Sequence, residues 1–427
     1  MKIKKADINA YNQREEGDHY EKFGFLNVQL DRNEINADDL VEKLQQFQVA
    51  IPSWALGIGG TRFGRFSMGG EPATLEQKID DVGIVHALTQ AAGAISLHIP
   101  WDIPKDAKAI KQRAKTHGLV FDAVNSNTFQ DQNDQQHTYK FGSLSHVNKA
   151  VREQAIAHNQ AVIDYGKALG SKSITVWLSD GSNFPGQTNF KQAFQYTQAS
   201  LAAIYNHLPD DWRMFIEYKP YEPNFYSTVI SDWGTSLMLA EGCGEKAFTL
   251  VDLGHHLPNT NIEQIVAILM MRGRLGGFHF NDSKYGDDDL TCGSIKPYQL
   301  FLIFNELVAG MSNNEGGNPP LAWMIDASHN IKDPLEDLMQ SLEAIRMAYA
   351  QALLIDQEEL RMAQLENDVV RCQDILQAAY RTDVRPLVAE ARRLSGGALD
   401  PIGFYRQMAI RKQLIKERGM QSTASGL

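Results

Sequence analysis

The chain has 427 residues, of which 43% are hydrophobic and 22% are charged, a composition typical of a soluble globular protein. Its net charge of -11 argues against nucleic acid as the main partner, because binding to phosphates requires concentrated Lys and Arg. The three cysteines are widely spaced and form no CxxC pair, so the sequence indicates neither a disulfide framework nor a thiolate metal site.

We find no targeting or membrane-spanning segment in the sequence. The amino terminus reads MKIKKADINAYNQREE and lacks the apolar core of a signal peptide. The longest apolar run, residues 265–271, is far too short to span a bilayer. We therefore predict a cytoplasmic protein without nucleic-acid or membrane partners, acting on a small molecule.

Residues 1–45 are predicted to form a helical extension, because apolar residues recur three or four positions apart and residues 36–38 offer helix caps. Eight short apolar runs follow, which we predict to be strands: 49–54, 95–101, 119–125, 173–178, 213–218, 248–253, 277–281 and 322–326. Helix-like segments such as 74–91, 148–169 and 260–272 lie between them. This alternation predicts an α/β fold, a (β/α)8 TIM barrel over residues 46–334.

The pattern changes after residue 334. Residues 335 to about 380 have the spacing of a long amphipathic helix, and more helix is expected as far as Lys416, with an interruption at residues 395–397. We interpret residues 335–427 as a helical arm that packs on a neighbouring subunit. The alternative is that the arm wraps only its own barrel.

Four consecutive predicted strands carry side chains that can bind a metal ion at or near their carboxyl ends: Glu217, Asp252, His279 and Asp326. The active sites of (β/α)8 barrels lie on the face where the carboxyl ends of the strands meet. The mixture of imidazole and carboxylate suits Mn²⁺, Co²⁺ or Mg²⁺. Asp326 could bridge two such ions at a separation of about 3.5–4 Å.

The segment EYK places Glu217 and Lys219 on one face of the fifth strand, since alternate residues of a strand share a face. Glu217 could hold a divalent cation, while Lys219 could stabilise charge on a substrate oxygen. The alternative is a simple buried ion pair between the two.

Asp252 is followed by two imidazoles, His255 and His256. A straight strand would bring His256 to the face of Asp252, whereas a bend at Gly254 would bring His255 there instead. The pattern does not decide which histidine reaches the site and which makes structural hydrogen bonds.

The loop NDSKYGDDDL holds Asp287 and Asp289 in a D-x-D spacing that can chelate a hard divalent ion. An isolated acidic loop is usually a solvated turn, but His279 on the preceding strand favours the metal-binding interpretation. The aromatic residues at or just after strand ends could line a sugar site or simply belong to the core: Trp54, Phe63, Trp101, Phe129, Trp177 and Phe184. His98 is a further polar candidate.

Longer motifs identify the chain as similar to a known superfamily. EYKPYEP, HFND and the D-x-D loop resemble the metal-binding segments of the xylose isomerase superfamily. More specifically, the chain resembles the L-rhamnose isomerase family, of the broad-specificity pseudomonad type, in IPSW, GGTRFGRF, SLHIPWD, SNTF, DGSNFPGQ, VDLGHH and GGFHFNDSKYGDDDL. The likeness extends from about residue 40 to residue 410.

This resemblance implies a homotetramer of barrels, with two divalent cations per subunit that are usually Mn²⁺. It implies that a structural ion is held by Glu217, Asp252, His279 and Asp326, and a catalytic ion by His255, Asp287 and Asp289. It implies substrate contacts from His98, Trp177 and Lys219, and apolar walls from Trp54, Phe129 and Phe63. Phe63 would act in the site of a neighbouring subunit, and Asp326, Lys219 and His255 would take part in catalysis.

The reaction expected from this resemblance is reversible aldose–ketose isomerisation, of L-rhamnose to L-rhamnulose and of related sugars such as D-allose to D-psicose. Hydrogen could move between C1 and C2 as a hydride, the route we favour, or as a proton through an enediol. The alternatives are a ketose 3-epimerase, a metal-dependent hydrolase or abasic-site nuclease, and a non-catalytic sugar-binding protein. The D-x-D loop argues against the epimerase, and the acidic net charge argues against the hydrolase or nuclease. The intact ligands argue against a non-catalytic sugar-binding protein.

Overall fold

The computed structural model describes residues 2–56, 66–133, 135–222, 227–313, 322–327 and 331–420. Eight parallel strands follow one another around a closed barrel. They are β1 (Ala50–Pro52), β2 (Ala94–Ile99), β3 (Val120–Ser126), β4 (Ser173–Val176), β5 (Arg213–Glu217), β6 (Ala247–Asp252), β7 (Leu275–Phe280) and β8 (Ala322–Ile325). The predicted (β/α)8 barrel is therefore confirmed, and each predicted strand overlaps an observed one.

The helices of the described residues lie before, between and after these strands. They are α1 (Lys5–Asp31), α2 (Ala37–Gln46), α3 (Leu75–Thr89), α4 (Ala107–Thr116), α5 (Lys149–Leu169), α6 (Phe190–Tyr205), α7 (Trp233–Cys243), α8 (Ile262–Met271), α9 (Pro297–Asn313), α10 (Pro334–Ala352), α11 (Gln357–Glu366), α12 (Val369–Arg381), α13 (Arg385–Leu394), α14 (Pro401–Gln407) and α15 (Ile410–Arg418). Among the described residues, no helix is both long and apolar enough to cross a membrane.

Side-chain caps fix where several of these helices begin. Asn36 accepts hydrogen bonds from the backbone N–H groups of Asp38 and Asp39, as its place before α2 predicts. Asn148 caps α5 in the same way. The predicted helical extension at the amino terminus is observed as α1 and α2.

The close approach of β7 and β8 depends on a residue without a side chain. A Cβ atom at Gly277 would lie 2.0 Å from the carbonyl oxygen of Ala322, so only glycine fits at this position. On β3, β5 and β6, the side chains of Ala123, Phe215 and Leu250 pack in a small apolar cluster separate from the main core. Alternate residues of these strands contribute to the core between barrel and helices.

The segment after β4 forms a short ribbon that the sequence did not predict. Gly181–Ser182 pairs with Ser227–Thr228 as a short antiparallel ribbon. Val229 also donates its N–H to the carbonyl of Asp180, at 2.8 Å. The ribbon joins the loops that follow β4 and β5, two segments that are distant in sequence.

The prediction of one continuous helix from 335 to about 380 is wrong, because the segment forms three helices. Asp356 accepts hydrogen bonds from the N–H groups of Glu358 and Glu359 and so begins α11. Asn367 adopts a left-handed conformation with φ 58°, which ends α11, and Asp368 caps α12. The predicted interruption at residues 395–397 is observed between α13 and α14.

Helix α10 packs between α9 and α3 and completes the ring of helices around the barrel. The predicted boundary after residue 334 had assigned this helix to the arm. Later helices of the arm also contact this subunit's own barrel region. Arg418 of α15 makes two hydrogen bonds to Asp81 of α3, at 2.7 and 2.8 Å, and both side chains are almost fully buried.

We expect Arg418→Ala to destabilise the protein, because it leaves the carboxylate of Asp81 buried without its counter-charge. Breaking a buried ion pair in this way costs about 3–5 kcal/mol, which corresponds to a fall in Tm of roughly 3–5 °C for a chain of this length. The matched control is Arg361→Ala, which removes an exposed ion pair to Glu358 and should leave Tm unchanged. Equal Tm values for the two variants, measured by calorimetry, would show that the arm does not depend on this pair.

Candidate active site

Four side chains converge at the carboxyl ends of β5 to β8. One ligand atom from each of Glu217, Asp252, His279 and Asp326 lies within 4.8 Å of the others. Asp252 and His279 are direct partners in the β6–β7 ladder, while Glu217 ends β5 and Asp326 immediately follows β8. The structure therefore brings together the four residues expected to hold the first ion. We call these four residues the carboxylate cluster, or the first cluster.

The ring nitrogen Nδ1 of His279 faces all three carboxylates of this cluster. It lies 3.1 Å from Glu217 Oε1, 3.5 Å from Asp326 Oδ2 and 3.7 Å from Asp252 Oδ2. Burial acts to lower the pKa of His279, but the charges of Glu217, Asp326 and Asp252 outweigh it and raise the pKa to about 9. Burial, followed by the charges of Glu217 and Asp326, raises the pKa of Asp252 well above its usual range.

The chemistry of this cluster fits a divalent cation. Three carboxylates and an imidazole are the ligand types that Mn²⁺, Co²⁺ and Mg²⁺ take, and no thiol lies among them. Asp252 Oδ2 is buried and accepts no hydrogen bond from any described residue. Its other oxygen is held by the backbone N–H of Gly254 at 2.7 Å and by Asn281 Nδ2 at 2.9 Å. These contacts fix the carboxylate while leaving Oδ2 directed at the cluster, as a ligand supported by outer hydrogen bonds should be.

The predicted ligands of the second ion lie beside the first cluster, but two of them are engaged with other groups. His255 Nδ1 is 3.3 Å from Glu217 Oε1, and His255 Nε2 is 3.2 Å from Asp287 Oδ1. Asp287 also forms an ion pair with Lys219, which pairs in addition with Glu222. A continuous row of charged contacts thus runs from Glu217 to Lys219, and the simple Glu217–Lys219 ion pair considered from the sequence is not observed.

Asp289 is partly exposed in the loop that also carries Asp287. Both residues have left-handed backbones, with φ 54° for Asp287 and φ 48° for Asp289. Asp288 between them faces away from the ligand set and accepts hydrogen bonds from the N–H groups of Lys284 and Tyr285. The contact of Asp287 with His255 holds the loop beside the first cluster, and the charge of Asp289 is one of the causes that raise the pKa of Asp252.

The two histidines after β6 have different roles. His255 enters the row of charged contacts, while His256 lies against Tyr218, whose hydroxyl is 2.6 Å from His256 Nε2. Burial lowers the pKa of His256 to about 4, so the ring is neutral. The neutral ring donates from Nδ1 to the carbonyl of Leu253, at 3.3 Å, and accepts from Tyr218. Of the two histidines, His255 is the one that contacts Glu217 and Asp287.

The bend that separates these histidines does not use a left-handed glycine. Gly254 is absent from the positive-φ residues of the described chain, and a Cβ atom there would lie 3.0 Å from Asn281 Oδ1. A Cβ atom at this position would crowd the side chain of Asn281, which would have to shift by a few tenths of an ångström. The carbonyl of Gly254 also accepts the N–H of Asp287 at 2.8 Å, which fastens the D-x-D loop to β6.

Aromatic rings form a row on the other side of the barrel mouth, after β1 to β4. His98 stacks on Trp101 at 4.0 Å and meets the edges of Trp54 and Phe129 at 5.4 and 5.7 Å. The row continues from Phe129 to Trp177 at 4.7 Å, and Lys219 Nζ lies 5.4 Å from the centre of the Trp177 ring. We call the five rings of Trp54, His98, Trp101, Phe129 and Trp177 the aromatic row. Phe63, the remaining predicted wall residue, lies outside the described residues.

Two polar atoms of the aromatic row are buried without a hydrogen-bond partner among the described residues: His98 Nδ1 and Trp177 Nε1. Burial, with the charges of His158 and Lys78, lowers the pKa of His98 to about 3, so its ring is neutral at neutral pH. The indole N–H of Trp54 instead donates to Asp326 Oδ1, at 2.9 Å, and links the aromatic row to the carboxylate cluster. Apolar faces with a few unpaired polar atoms are typical of a small-molecule site.

Some supporting residues were not predicted. Glu222 is buried against Lys219, three positions earlier, a spacing that could have been noticed in EYKPYE. Asp282, two residues after β7, is also buried, and its carboxylate accepts the N–H groups of Ile295 and Lys296 before α9. Asp102 is buried beside His98 and ends the motif SLHIPWD, but the sequence did not single it out.

Comparisons with known proteins agree with this architecture. Residues 86–302 match the family described as xylose isomerase-like TIM barrel. A protein of Mesorhizobium japonicum named as a probable sugar isomerase is 52% identical over 420 residues, covering 98% of this chain and 97% of that protein. A second, from Rhizobium meliloti and named in the same way, is 52% identical over 393 residues, covering 92% of this chain and 91% of that protein.

Among solved structures, an L-ribulose 3-epimerase shares the fold, with a TM-score of 0.55 and 15% identity over 75% of this chain and 98% of that one. These matches name sugar isomerases and epimerases without specifying L-rhamnose isomerase. The chain belongs to the xylose isomerase-like TIM barrel family.

Proposed function

We propose that the protein is a metal-dependent aldose–ketose isomerase that converts L-rhamnose to L-rhamnulose and also accepts related sugars, such as D-allose to give D-psicose. The observation that carries this proposal is the convergence of Glu217, Asp252, His279 and Asp326 opposite the aromatic row. The relatives named as probable sugar isomerases support the same reaction class. The preferred sugar is proposed from the sequence motifs alone.

The proposed cofactors are two divalent cations per subunit, Mn²⁺ in the first instance and Co²⁺ or Mg²⁺ as substitutes. Glu217, Asp252, His279 and Asp326 would hold the first cation, and His255, Asp287 and Asp289 the second. When bound, such cations polarise substrate oxygens and stabilise negative charge that develops on them. The second set requires Asp287 to exchange at least part of its contact with Lys219.

The chain's own residues would bind and orient the open-chain sugar. Trp54 and Phe129 offer apolar faces, while His98 Nδ1 and Trp177 Nε1 offer unpaired polar atoms to hydroxyl groups. Lys219, freed from part of its carboxylate contacts, would stabilise charge on a substrate oxygen. We further propose a homotetramer in which Phe63 completes the site of a neighbouring subunit.

Transfer of hydrogen between C1 and C2 follows from this arrangement in one of two ways. Aromatic side chains line one side of the site, and the acidic side chains near it would be engaged as metal ligands or as ion-pair partners. No described carboxylate near the site is thereby left for an obvious role as a general base. We therefore favour a direct hydride shift over proton removal through an enediol.

The first test is ketose formation from L-rhamnose, D-allose and a panel of other aldoses. Protein stripped with a chelator should be inactive, and added Mn²⁺ should restore turnover, because the sugar oxygens are polarised only when the ligand sets are filled. Activity on D-allose but not on L-rhamnose would keep the reaction class and change the substrate. Inversion at C3 of a ketose, with no activity on aldoses, would establish a 3-epimerase instead.

The same reaction run in deuterated water separates the two routes. A hydride shift leaves the ketose free of solvent deuterium at C1, whereas an enediol intermediate exchanges with solvent. Incorporation that approaches one deuterium per turnover would contradict the hydride route.

We expect His255→Gln and His256→Gln to differ sharply, although the residues are neighbours. His255→Gln should lower kcat/KM at least about 100-fold, since even supporting residues of metal sites cost roughly 10–100-fold when changed. His256→Gln should keep kcat/KM within about threefold and lower Tm instead, because it disturbs the buried contact with Tyr218. Steady-state kinetics with Mn²⁺ and calorimetry give both values. A greater loss of activity in the His256 variant would reverse the assignment.

A further inference from the structure

The loop after β2 folds back over His98 and is held there by one buried carboxylate. Asp102 Oδ2 accepts the backbone N–H of His98 at 3.0 Å and also accepts the hydroxyl of Ser53. The N–H of Asp102 in turn donates to the carbonyl of His98 at 2.9 Å. The side chain of Asp102 is 1% exposed, so these bonds are made away from water.

The other oxygen of this carboxylate meets a cation from the surrounding helices. Lys78 of α3 donates from Nζ to Asp102 Oδ1 at 2.6 Å, and the side chain of Lys78 is 12% exposed. Both oxygens of Asp102 are thus occupied by specific donors. The carboxylate joins three elements of the barrel: the end of β1, the end of β2 and the face of α3.

Each residue held by Asp102 adjoins a member of the aromatic row. Ser53 immediately precedes Trp54, whose indole N–H reaches Asp326 in the carboxylate cluster. The ring of His98 stacks on Trp101, the residue directly before Asp102. A displacement of Asp102 would therefore move Trp54 and His98 together relative to the carboxylate cluster.

We propose that Asp102 is a positioning residue for the sugar, which sets the places of His98 and Trp54 opposite the carboxylate cluster. The proposal rests on the proposed function, since it assigns sugar contacts to these two rings. Asp102 itself touches neither substrate nor cation. Its effect is on the fit of the sugar, because a misplacement of about 1 Å in a site can cost roughly 100-fold in rate.

The test compares Asp102→Ala and Asp102→Asn with the unchanged protein, all loaded with Mn²⁺. Asp102→Ala removes both acceptors, and we expect KM for the aldose to rise about tenfold or more and kcat/KM to fall by about 10–100-fold. Asp102→Asn retains one acceptor oxygen for His98 and Ser53, so it should recover most of the loss in KM, but it turns an amide N–H2 toward Lys78 and should therefore still lower Tm. The affinity for Mn²⁺ should fall by less than KM rises in both, because none of the four proposed ligands is replaced and only the hydrogen bond from Trp54 to Asp326 can be disturbed.

Asp81→Asn is the matched control. Asp81 is another buried aspartate of the α3 region that pairs with a cation, Arg418, and it has no contact with His98 or Ser53. It should lower Tm as Asp102→Ala does, while leaving KM unchanged. Equal KM values for Asp102→Ala and Asp81→Asn would overturn the proposal and reduce Asp102 to a stabilising residue.

A crystal structure of the Asp102→Ala variant gives a readout that does not depend on turnover. We expect the His98 ring to leave its 4.0 Å stacking on Trp101 or to shift by about 1 Å or more. Should Asp102→Ala fail to fold, Ser53→Ala removes the hydroxyl that donates to Asp102 and should raise KM, and its crystal structure gives the same comparison. An unchanged KM and an unmoved Trp54 ring in Ser53→Ala would then contradict the proposal. An unmoved His98 ring in a folded variant contradicts the proposal, whereas an inactive unchanged protein contradicts the proposed function.

Discussion

Negative charge gathered at the mouth of the barrel is the constraint on which the rest of this site depends. Glu217 and Asp252 are almost fully buried and lie with Asp326 around a single imidazole. Like charges held together away from water repel strongly, so such a group persists only when cations or hydrogen-bond donors offset it. His279 supplies part of this compensation, and a divalent cation would supply the remainder.

The fold holds this group in place by means of contacts outside it. Asn281 donates to Asp252 and to the carbonyl of Asp326, at 2.9 Å in both cases, and so connects β6 with the end of β8. On the opposite side, Asp180 accepts four hydrogen bonds from the backbone and hydroxyl groups of Ser143 and Ser145. The loops of the aromatic row and those of the carboxylate cluster are thus each braced by a buried polar residue.

The candidate ligands at the strand ends could be predicted because the carboxyl ends of all eight parallel strands of a barrel meet at one face. Apolar runs that end in a ligand residue place their last side chains on one face, and this located Glu217, Asp252, His279 and Asp326 without knowledge of their contacts. The choice between His255 and His256 could not be made in this way. It depends on which partners the two rings meet, Glu217 and Asp287 for His255 and Tyr218 for His256, and these are residues far from the histidines in sequence.

The other differences between the predictions and the structure have one local cause and one long-range cause. The break of the arm into α10, α11 and α12 is set by local caps at Asp356 and Asp368, which an amphipathic pattern conceals. The proposed role of Asp102 depends on its hydrogen bonds with Ser53, 49 positions earlier, and with Lys78 of α3. The periodicity of apolar residues predicts which face of an element is buried, but it does not predict contacts between side chains of different elements.

The central claim is that the carboxylate cluster holds a divalent cation. Its most direct test is anomalous diffraction at the manganese edge from crystals grown with Mn²⁺. The account predicts a strong anomalous peak enclosed by Glu217, Asp252, His279 and Asp326, at ordinary metal–ligand distances from all four. Well-ordered side chains with no peak between them, at Mn²⁺ concentrations that support turnover, would contradict it.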